Sequence, residues 1–429
     1  MITNLFALLF TAVSASSNAD SLLQINADRL NANLQTLSKF GSQPEKGTSR
    51  VAYSDADKAG RQWVLGEMTR GGLSPSIDAA GNIVATLAGS DPNLKPIATG
   101  SHIDTVPQGG NFDGIVGSLS ALEVARTLHE SRKRLKHPLR IILFSNEEGG
   151  HTGSRALTSG LSEDDLQFKS LSGKTVEEGI RFIGGNPDQL NAAKLSPGEF
   201  AAFVELHVEQ GGILEEKKKQ IGIVQGIVGI KRWMITFEGI QNHAGSTPMH
   251  LRKDALLGAS EFVLKSQELA LALGTSQVAT SGKLDVTPNA PNVIAGKAVV
   301  SFETRDLHAD NIARLGNQVL SLAKKIAKKR RLTVQADLVY DTAPVLTDRA
   351  IANAAESNAK RMGFSTLRLP SGAGHDAQEM ARIAPMGMIF IPSRAGVSHH
   401  KDEFTQPGDV ARGAQLLLQT LLELDRTPL

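Results

Sequence analysis

Apolar and polar positions in the first half of the chain alternate between a helical and a strand-like pattern. Apolar residues recur with the 3.6-residue spacing of a helix over residues 22–40 and 117–130. Residues 96–101 and 140–144 are instead short and largely apolar, which is typical of strands covered on both faces. Such strands between helices predict an α/β fold with a mainly parallel sheet and helices on both faces. In a sheet of this kind, the residues for chemistry lie at the carboxyl ends of the strands.

The pattern changes near residue 226 and returns near residue 342. Between these points, residues 231–239 and 332–339 alternate apolar and polar side chains, as expected for a sheet with one face in water. We therefore expect a smaller α+β domain that is inserted into the first. The predicted division is a signal-peptide-like segment or extension at 1–19, a main domain at 20–225 and 342–429, and an inserted domain at 226–341.

Length and composition narrow the choice of protein class. A chain of 429 residues is longer than one hydrophobic core usually accommodates, which agrees with two domains. Its 41% hydrophobic and 21% charged residues are typical of a soluble globular protein, and its formal net charge of +2 gives no reason to expect a nucleic-acid partner. The chain has no cysteine, which excludes disulfides, thiolate metal sites and cysteine nucleophiles. A metal site must therefore use histidine and carboxylate ligands.

The N-terminal residues resemble a secretory signal peptide. An apolar run at residues 5–13 is followed by the small-x-small pattern Ser17-Asn18-Ala19, although no Lys or Arg precedes the run. We expect export to the periplasm or the exterior, and the alternative is a cytoplasmic protein with an extension of no targeting function. Elsewhere, no segment reaches the roughly 18–20 apolar residues of a membrane span.

Residues 100–117, GSHIDTVPQGGNFDGIVG, contain the first candidates for chemistry. His102 and Asp104 share one side of an extended chain, so one can bind a metal ion while the other orients it. Further histidines and carboxylates lie in this stretch or at the ends of later strand-like segments: Asp113, Glu147, Glu148, His207 and His399. With one carboxylate bridging two cations, this set would form a two-metal site that lowers the pKa of a shared water. Such ligands suit Zn, Mn, Co or Ni.

Other motifs have less support. Residues 372–377, GAGHDA, fit the loose dinucleotide pattern GxGxxA, but the remainder of a βαβ nucleotide-binding unit is not in place. There is no GxSxG motif, so a serine hydrolase has no local support. The sequence context assigns no role to His151 or His400.

Taken together, the motifs resemble those of the dinuclear-metal amidohydrolases related to aminoacylases and carboxypeptidases. The shared pieces, in chain order, are HxD at 102–104, DG at 113–114, NEEG at 146–149, ELHVEQG at 205–211 and SH at 398–399. Within that group, NHAGSTPM at 242–249 and SGAGHDA at 371–377 resemble the hydantoinase/carbamoylase branch. This branch contains N-carbamoyl-L-amino-acid hydrolases, β-ureidopropionases and allantoate amidohydrolases.

The resemblance implies roles for individual residues. The implied ligands of two divalent ions are His102, Asp113 as the bridge, Glu148, His207 and His399. Glu147 would be the general base, and His243 would stabilise the oxyanion from the partner subunit of a homodimer, which makes the insertion a dimerisation or lid domain. The implied substrate-binding residues are Gln210, Asn292, Arg305, Gly374 and His375. Strand alternation agrees with this role for Arg305. Its side chain lies on the same face of the strand as Glu303 and on the opposite face from Phe302, so its guanidinium is on the polar side.

The expected activity is hydrolysis of a carbamoyl or ureido C–N bond. The first expectation is conversion of an N-carbamoyl-L-amino acid to the L-amino acid, ammonia and carbon dioxide. The alternatives are an allantoate amidohydrolase, then an aminoacylase or peptidase, and outside the enzymes a metal-free binding protein on a degenerate scaffold. Residues 150–152, GHT, stand where this branch usually has Ser-Arg-Phe or Ala-Arg-Phe, so we expect an altered pocket wall beside Glu147.

Overall fold

The structure, a computed structural model, describes residues 22–274 and 276–427 and consists of two main β-sheets with packed helices. The signal-like segment at 1–19 lies outside the described residues, so export stays a prediction. Within the described part of the chain, no helix combines the length and apolar character needed to cross a membrane.

The elements alternate along the chain much as their hydrophobic patterns indicate. The helices are α1 (Ala27–Leu37), α2 (Asp55–Arg70), α3 (Ile115–Glu130), α4 (Thr152–Leu157), α5 (Glu163–Gln167), α6 (Val176–Phe182), α7 (Leu190–Ala193), α8 (Ile213–Glu216), α9 (Ala255–Leu273), α10 (Ala309–Arg330), α11 (Arg349–Arg361), α12 (Asp376–Met380) and α13 (Pro407–Leu424). Short 3₁₀ helices lie at Pro187–Gln189, Met249–Leu251 and Arg394–Gly396.

The strands are β1 (Ser42–Gln43), β2 (Gly47–Thr48), β3 (Ser76–Ile77), β4 (Ile83–Leu87), β5 (Ile97–His102), β6 (Leu139–Phe144), β7 (Ala202–Val208), β8 (Ile221–Ile227), β9 (Gly229–Glu238), β10 (Asn242–His243), β11 (Val278–Thr280), β12 (Leu284–Thr287), β13 (Val293–Ile294), β14 (Lys297–Asp306), β15 (Thr333–Thr342), β16 (Val345–Leu346), β17 (Thr366–Ser371) and β18 (Met386–Ile391).

The nine-stranded sheet is parallel at its centre. Strands β6, β5, β7 and β18 lie side by side in that order, and each pair is parallel. Antiparallel pairs flank this centre, β4 with β6 on one side and β8 with β18 on the other, and β17 adds a parallel pair with β8. The predicted α/β class with a mainly parallel central sheet is confirmed.

Helices cover both faces of this sheet. In β6, Leu139, Ile141 and Leu143 belong to the core beneath α3 and α13, whereas Ile142 and Phe144 belong to the core beneath α4 and α12. This two-residue alternation explains why a central strand such as β6 carries apolar side chains on both of its faces.

The five-stranded sheet contains β9, β11, β12, β14 and β15, and all of its pairs are antiparallel. The strand order is β11-β14-β9-β15, and β12 also pairs with β14. Helices α9 and α10 cover one face, and a separate core forms there around Trp233, Phe237, Phe262 and Phe302. The chain leaves the large sheet at β8 and returns at β16, where Val345 pairs with Ile227.

The first helix is shorter than its apolar spacing predicts. It begins at Ala27 rather than near residue 22, because the Asn26 side chain caps it by accepting a hydrogen bond from the Arg29 N–H. Strands β8 and β17 and the short helices between residues 152 and 193 were not predicted.

Candidate metal centre and active-site cavity

The candidate residues for chemistry converge at one edge of the large sheet. His102 is the last residue of β5, His207 lies near the end of β7, and Glu147 and Glu148 follow β6. His399 lies in the loop after β18. Because the carboxyl ends of parallel strands meet at the same edge, the fold brings these side chains together.

The first cluster contains His102, His207 and Asp113, all buried. The Asp113 Oδ1 lies 3.6 Å from the His102 Nε2 and 3.1 Å from the His207 Nε2. The Nδ1 of each ring lies within hydrogen-bond distance of a backbone carbonyl, Asp104 O at 3.0 Å and Val208 O at 2.9 Å. If each Nδ1 donates its proton there, each Nε2 keeps a lone pair that faces Asp113.

The second cluster shares Asp113 and adds Glu148 and His399. The His399 Nε2 lies 3.2 Å from the Asp113 Oδ2 and 3.5 Å from the Glu148 Oε2. The two oxygens of Asp113 therefore face different clusters, which is the arrangement of a bridging carboxylate.

The donor atoms fit divalent cations in spacing and in charge. Two ligand atoms that are each about 2.1 Å from an ion lie about 3.4 Å apart in a tetrahedral site, and the four separations given above run from 3.1 to 3.6 Å. Burial and the negative charges of Asp113 and Glu147 raise the pKa of Glu148 to about 8. A cation would offset the repulsion between these negative charges. The residues therefore suit a dinuclear divalent site.

The Asp113 carboxylate is fixed by groups from distant parts of the chain. The Gln210 Nε2 donates to its Oδ2 at 2.6 Å, and the Ser398 Oγ lies 2.8 Å from the same oxygen. The Glu403 Oε1 accepts hydrogen bonds from the backbone N–H groups of Phe112 and Asp113. No sequence motif indicates Glu403, because its contact joins positions 290 residues apart.

Gly114 permits the close packing of the first cluster. Its φ of +67° is unfavourable for residues with a side chain. A Cβ added there would lie 2.2 Å from the His102 Nε2. Its N–H donates to the His207 Nε2 at 3.1 Å. Only glycine fits at this position without displacing a candidate ligand.

Asp104 supports both His102 and the glutamate pair. Its backbone carbonyl lies next to the His102 Nδ1, and its carboxylate is 3.6 Å from the same nitrogen. The carboxylate oxygens accept hydrogen bonds from the N–H groups of Glu147 and Glu148, at 3.4 and 3.2 Å. Asp104 thus lies where it can orient His102, and it also holds the turn that follows β6.

Glu147 lies between His102 and His151. Its Oε2 is 3.6 Å from the His102 Nε2, and its Oε1 is 3.1 Å from the His151 Nε2. Burial alone raises the pKa of Glu147, but the charges of His102 and His151 outweigh it and lower the pKa to about 2. Burial lowers the pKa of His151, and Glu147 reverses this and raises it to about 9. The contact with His151 was not predicted, and its only sequence signal is the unusual GHT after the glutamates.

An open cavity of about 630 Å³ lies over these residues. Glu147, Glu148 and His399 line it from the large sheet, and Arg305 and Tyr340 line it from the five-stranded sheet. Its lining also includes the predicted substrate-binding residues Gln210, Gly374 and His375. Burial, together with the charge of His207, holds the pKa of His375 well below its usual value, so this imidazole is neutral.

Arg305 is held with part of its guanidinium free. Its Nε donates to the Glu303 Oε1 at 2.6 Å, and its Nη1 donates to the Gly372 carbonyl at 2.7 Å. A guanidinium has five N–H groups, so donors remain for a ligand in the cavity. Glu303 also pairs with Arg232, which is not among the residues that line the cavity.

Two predicted site residues lie elsewhere. His243 and Asn292 are both exposed on the ribbon that β10 forms with β13, and neither lines the cavity of its own chain. The His243 Nδ1 instead accepts hydrogen bonds from the N–H groups of Gly245 and Ser246. One chain by itself therefore does not bring His243 or Asn292 to the metal clusters.

Comparison with known proteins places this arrangement among hydrolases. Residues 98–423 match Peptidase family M20/M25/M40. The chain is 36% identical over 405 residues to an N-carbamoyl-L-amino acid amidohydrolase of Geobacillus stearothermophilus, covering 93% of this chain and 99% of that protein. It is also 36% identical over 422 residues to a ureidoglycolate hydrolase of Arabidopsis thaliana, covering 95% and 89%. A solved amidase of the hydantoinase/carbamoylase family from Burkholderia multivorans is 34% identical and superposes with a TM-score of 0.87, covering 95% and 100%.

Proposed function

This chain belongs to peptidase family M20/M25/M40, and we propose that it is a metal-dependent amidohydrolase that cleaves a carbamoyl or ureido C–N bond in a small acid. The names of its relatives support this substrate class. The first proposed substrate is an N-carbamoyl-L-amino acid, with the L-amino acid, ammonia and carbon dioxide as products. The alternative is an acid with a ureido group, allantoate or ureidoglycolate.

The two clusters would each hold one divalent ion. His102 and His207 would bind one ion, Glu148 and His399 would bind the other, and Asp113 would bind both. Ions in such a site make water more acidic and polarise the carbonyl oxygen of the substrate.

Glu147 is the proposed general base. Its carboxylate is ionised and lines the cavity beside both clusters. It would accept a proton from the attacking water and deliver that proton to the nitrogen of the departing amine. The N–H groups that Asp104 holds keep the turn of Glu147 in place during this transfer.

The observation that best supports a small acid is the position of Arg305. Its guanidinium lines the same cavity as Glu147 and both clusters, with donors left free. Guanidinium donors suit bidentate binding of a carboxylate. The substrate would thus be held at its carboxylate by Arg305 and attacked at its carbamoyl or ureido carbon near Glu147.

Ammonia release tests the proposed reaction. The protein would be reconstituted with manganese and given N-carbamoyl-L-methionine, allantoate or ureidoglycolate in separate assays, with the metal content measured in parallel. Release from the first compound supports the carbamoylase, and release from allantoate or ureidoglycolate alone supports the alternative. No release from any of them by protein with two bound ions would contradict the proposal.

We further propose that residues 226–341 form a dimerisation or lid domain and that His243 acts in the partner's cavity. The exposure of His243 and Asn292 on a ribbon outside the cavity of their own chain supports this. Mixed dimers of His243→Ala with Glu147→Gln would contain one cavity with both side chains intact. We expect mixing to restore part of the activity that each variant lacks, whereas no gain on mixing would contradict the exchange of His243.

A further inference from the structure

His151 lies beside the proposed general base in an unusual backbone conformation. It precedes α4 with a φ of +55°, and its N–H donates to the Glu147 carbonyl at 2.9 Å. This tight turn places its Nε2 3.1 Å from the Glu147 Oε1. This distance is within hydrogen-bond range, and an imidazole N–H can donate to a carboxylate oxygen.

The surroundings of the imidazole keep it in this orientation. The backbone of Gly374 packs against the ring, since a Cβ at that position would lie 3.0 Å from the His151 Cε1. The side chain is about one-fifth exposed, at 21%, and Asp376 and Glu379 also act on its charge from α12. The ring is therefore confined between Gly374 and the Glu147 carboxylate.

We propose that His151 is a positioning residue for Glu147, an inference that rests on the proposed function. The hydrogen bond occupies the Oε1 and leaves the Oε2 on the side of His102. Glu147 follows β6 in a turn rather than in a strand or helix. The imidazole thus supplies an orientation that the backbone of that turn does not impose on the carboxylate.

The size of the effect follows from the geometry that proton transfer needs. A displacement of about 1 Å in a catalytic group can lower a rate by about 100-fold. Without the donor from His151, the Glu147 carboxylate can rotate about its side-chain bonds. We therefore expect a loss in kcat of about 10- to 100-fold, with little change in KM, because the substrate carboxylate is held by Arg305.

Two variants that replace the imidazole with an amide test whether the position of the hydrogen-bond donor matters, rather than only the presence of a polar side chain. In His151→Gln, the amide nitrogen can reach the place of the Nε2, whereas in His151→Asn it can reach only the place of the Nδ1. We expect kcat to fall by about 10- to 100-fold in His151→Asn and to stay within about threefold of wild type in His151→Gln. Both variants should bind as much metal as the wild type. Addition of free imidazole to His151→Ala should restore part of its kcat, which is a second measurement should the Asn variant fail to fold.

The outcomes are distinct from those that test the reaction itself. If the wild type releases no ammonia from any ureido acid, the proposed function fails first. If the wild type is active, a kcat of His151→Asn within threefold of it overturns the positioning role. An equal loss in the Asn and Gln variants without rescue by imidazole also overturns it, as does a rise in KM alone, which would make His151 a substrate contact.

Discussion

The substitution Gly114→Ala tests the dinuclear site without removing any proposed ligand. The new methyl carbon would lie 2.2 Å from the His102 Nε2 and 2.4 Å from its Cε1. An ordinary contact begins near 3.4 Å, so the imidazole or the adjacent Asp113 must move by about 1.2 Å. Metal–ligand distances tolerate only about 0.2 Å. The displacement is therefore several times larger than the first cluster can absorb.

We expect Gly114→Ala to fold but to retain at most one of two metal ions and to lose about 100-fold or more in activity. Gly363→Ala is the matched control. Gly363 also has a positive φ, +77°, but no atom lies within 4 Å of an added Cβ. The strain of this backbone conformation alone should cost about 1–2 kcal/mol of stability, with full metal content and activity.

The assay combines metal analysis after dialysis, ammonia release and thermal unfolding of both variants. Loss of metal in Gly114→Ala alone assigns the effect to contact with His102. If Gly114→Ala binds two ions as tightly as the wild type and stays within threefold of its activity, the assignment of His102 and Asp113 to a shared ion is wrong.

Four further predictions concern Glu147, Arg305 and the candidate metal ligands. Glu147→Gln should keep both metal ions yet lower kcat by about 10²- to 10⁴-fold, because it removes the proposed base but none of the proposed ligands; loss of metal in this variant would count against the assignment. Arg305→Lys should raise KM for the acid substrate by about tenfold or more, because lysine lacks the planar guanidinium that binds a carboxylate with two donors. The control is Arg232→Lys, since Arg232 also pairs with Glu303 but does not line the cavity, and this variant should leave KM unchanged. In metal-free protein, contact with Asp113 raises the pKa of His399 to about 9, and burial with nearby carboxylates raises that of Glu148 to about 8. Burial lowers the pKa of His207 and His102, but nearby carboxylates outweigh it and raise that of His207 to about 9 and that of His102 well above its usual value. All four groups are then protonated at pH 7, so binding of both ions should release more than two, and up to about four, protons per chain at pH 7 and fewer above pH 9, as measured with an indicator dye in weak buffer. The folded chain binds these protons more tightly than the unfolded chain does, so the chelated protein should also lose stability as the pH rises from 7 to 9; proton release that does not depend on pH would contradict this reasoning.

The sequence permits prediction of the residues that the strands carry. His102 and His207 lie at the ends of two central strands, and Glu147 and His399 lie in the segments that follow two others. Parallel strands place all of these positions at one edge of the sheet. The alternation in β14 likewise predicted that Glu303 and Arg305 share a face, and they form a hydrogen-bonded pair. The two-residue alternation is sufficient for this prediction, because the face on which a strand side chain lies depends only on whether its position in the strand is odd or even.

Contacts made through turns and over long separations could not be predicted. The pairing of His151 with Glu147 depends on a left-handed turn at His151 that no spacing rule indicates. Glu403 reaches the backbone of Asp113 only because the loops after β5 and β18 meet in space. The exposed positions of His243 and Asn292 depend on a ribbon of two short strands, which are weak signals in a sequence.

The pairing of Val345 with Ile227 has a consequence for the evolution and engineering of this fold. Cα atoms paired across antiparallel strands lie about 5 Å apart, so the intervening segment departs from and rejoins the large sheet at nearly the same point. A segment with adjacent ends can be exchanged for another without breaking the sheet that holds the candidate metal ligands. Because that segment carries Arg305 and Tyr340 as well as His243, recombination at these two positions would replace part of the cavity wall and the residue proposed to act in the partner subunit in a single step, while Glu147 and both metal clusters stay in place.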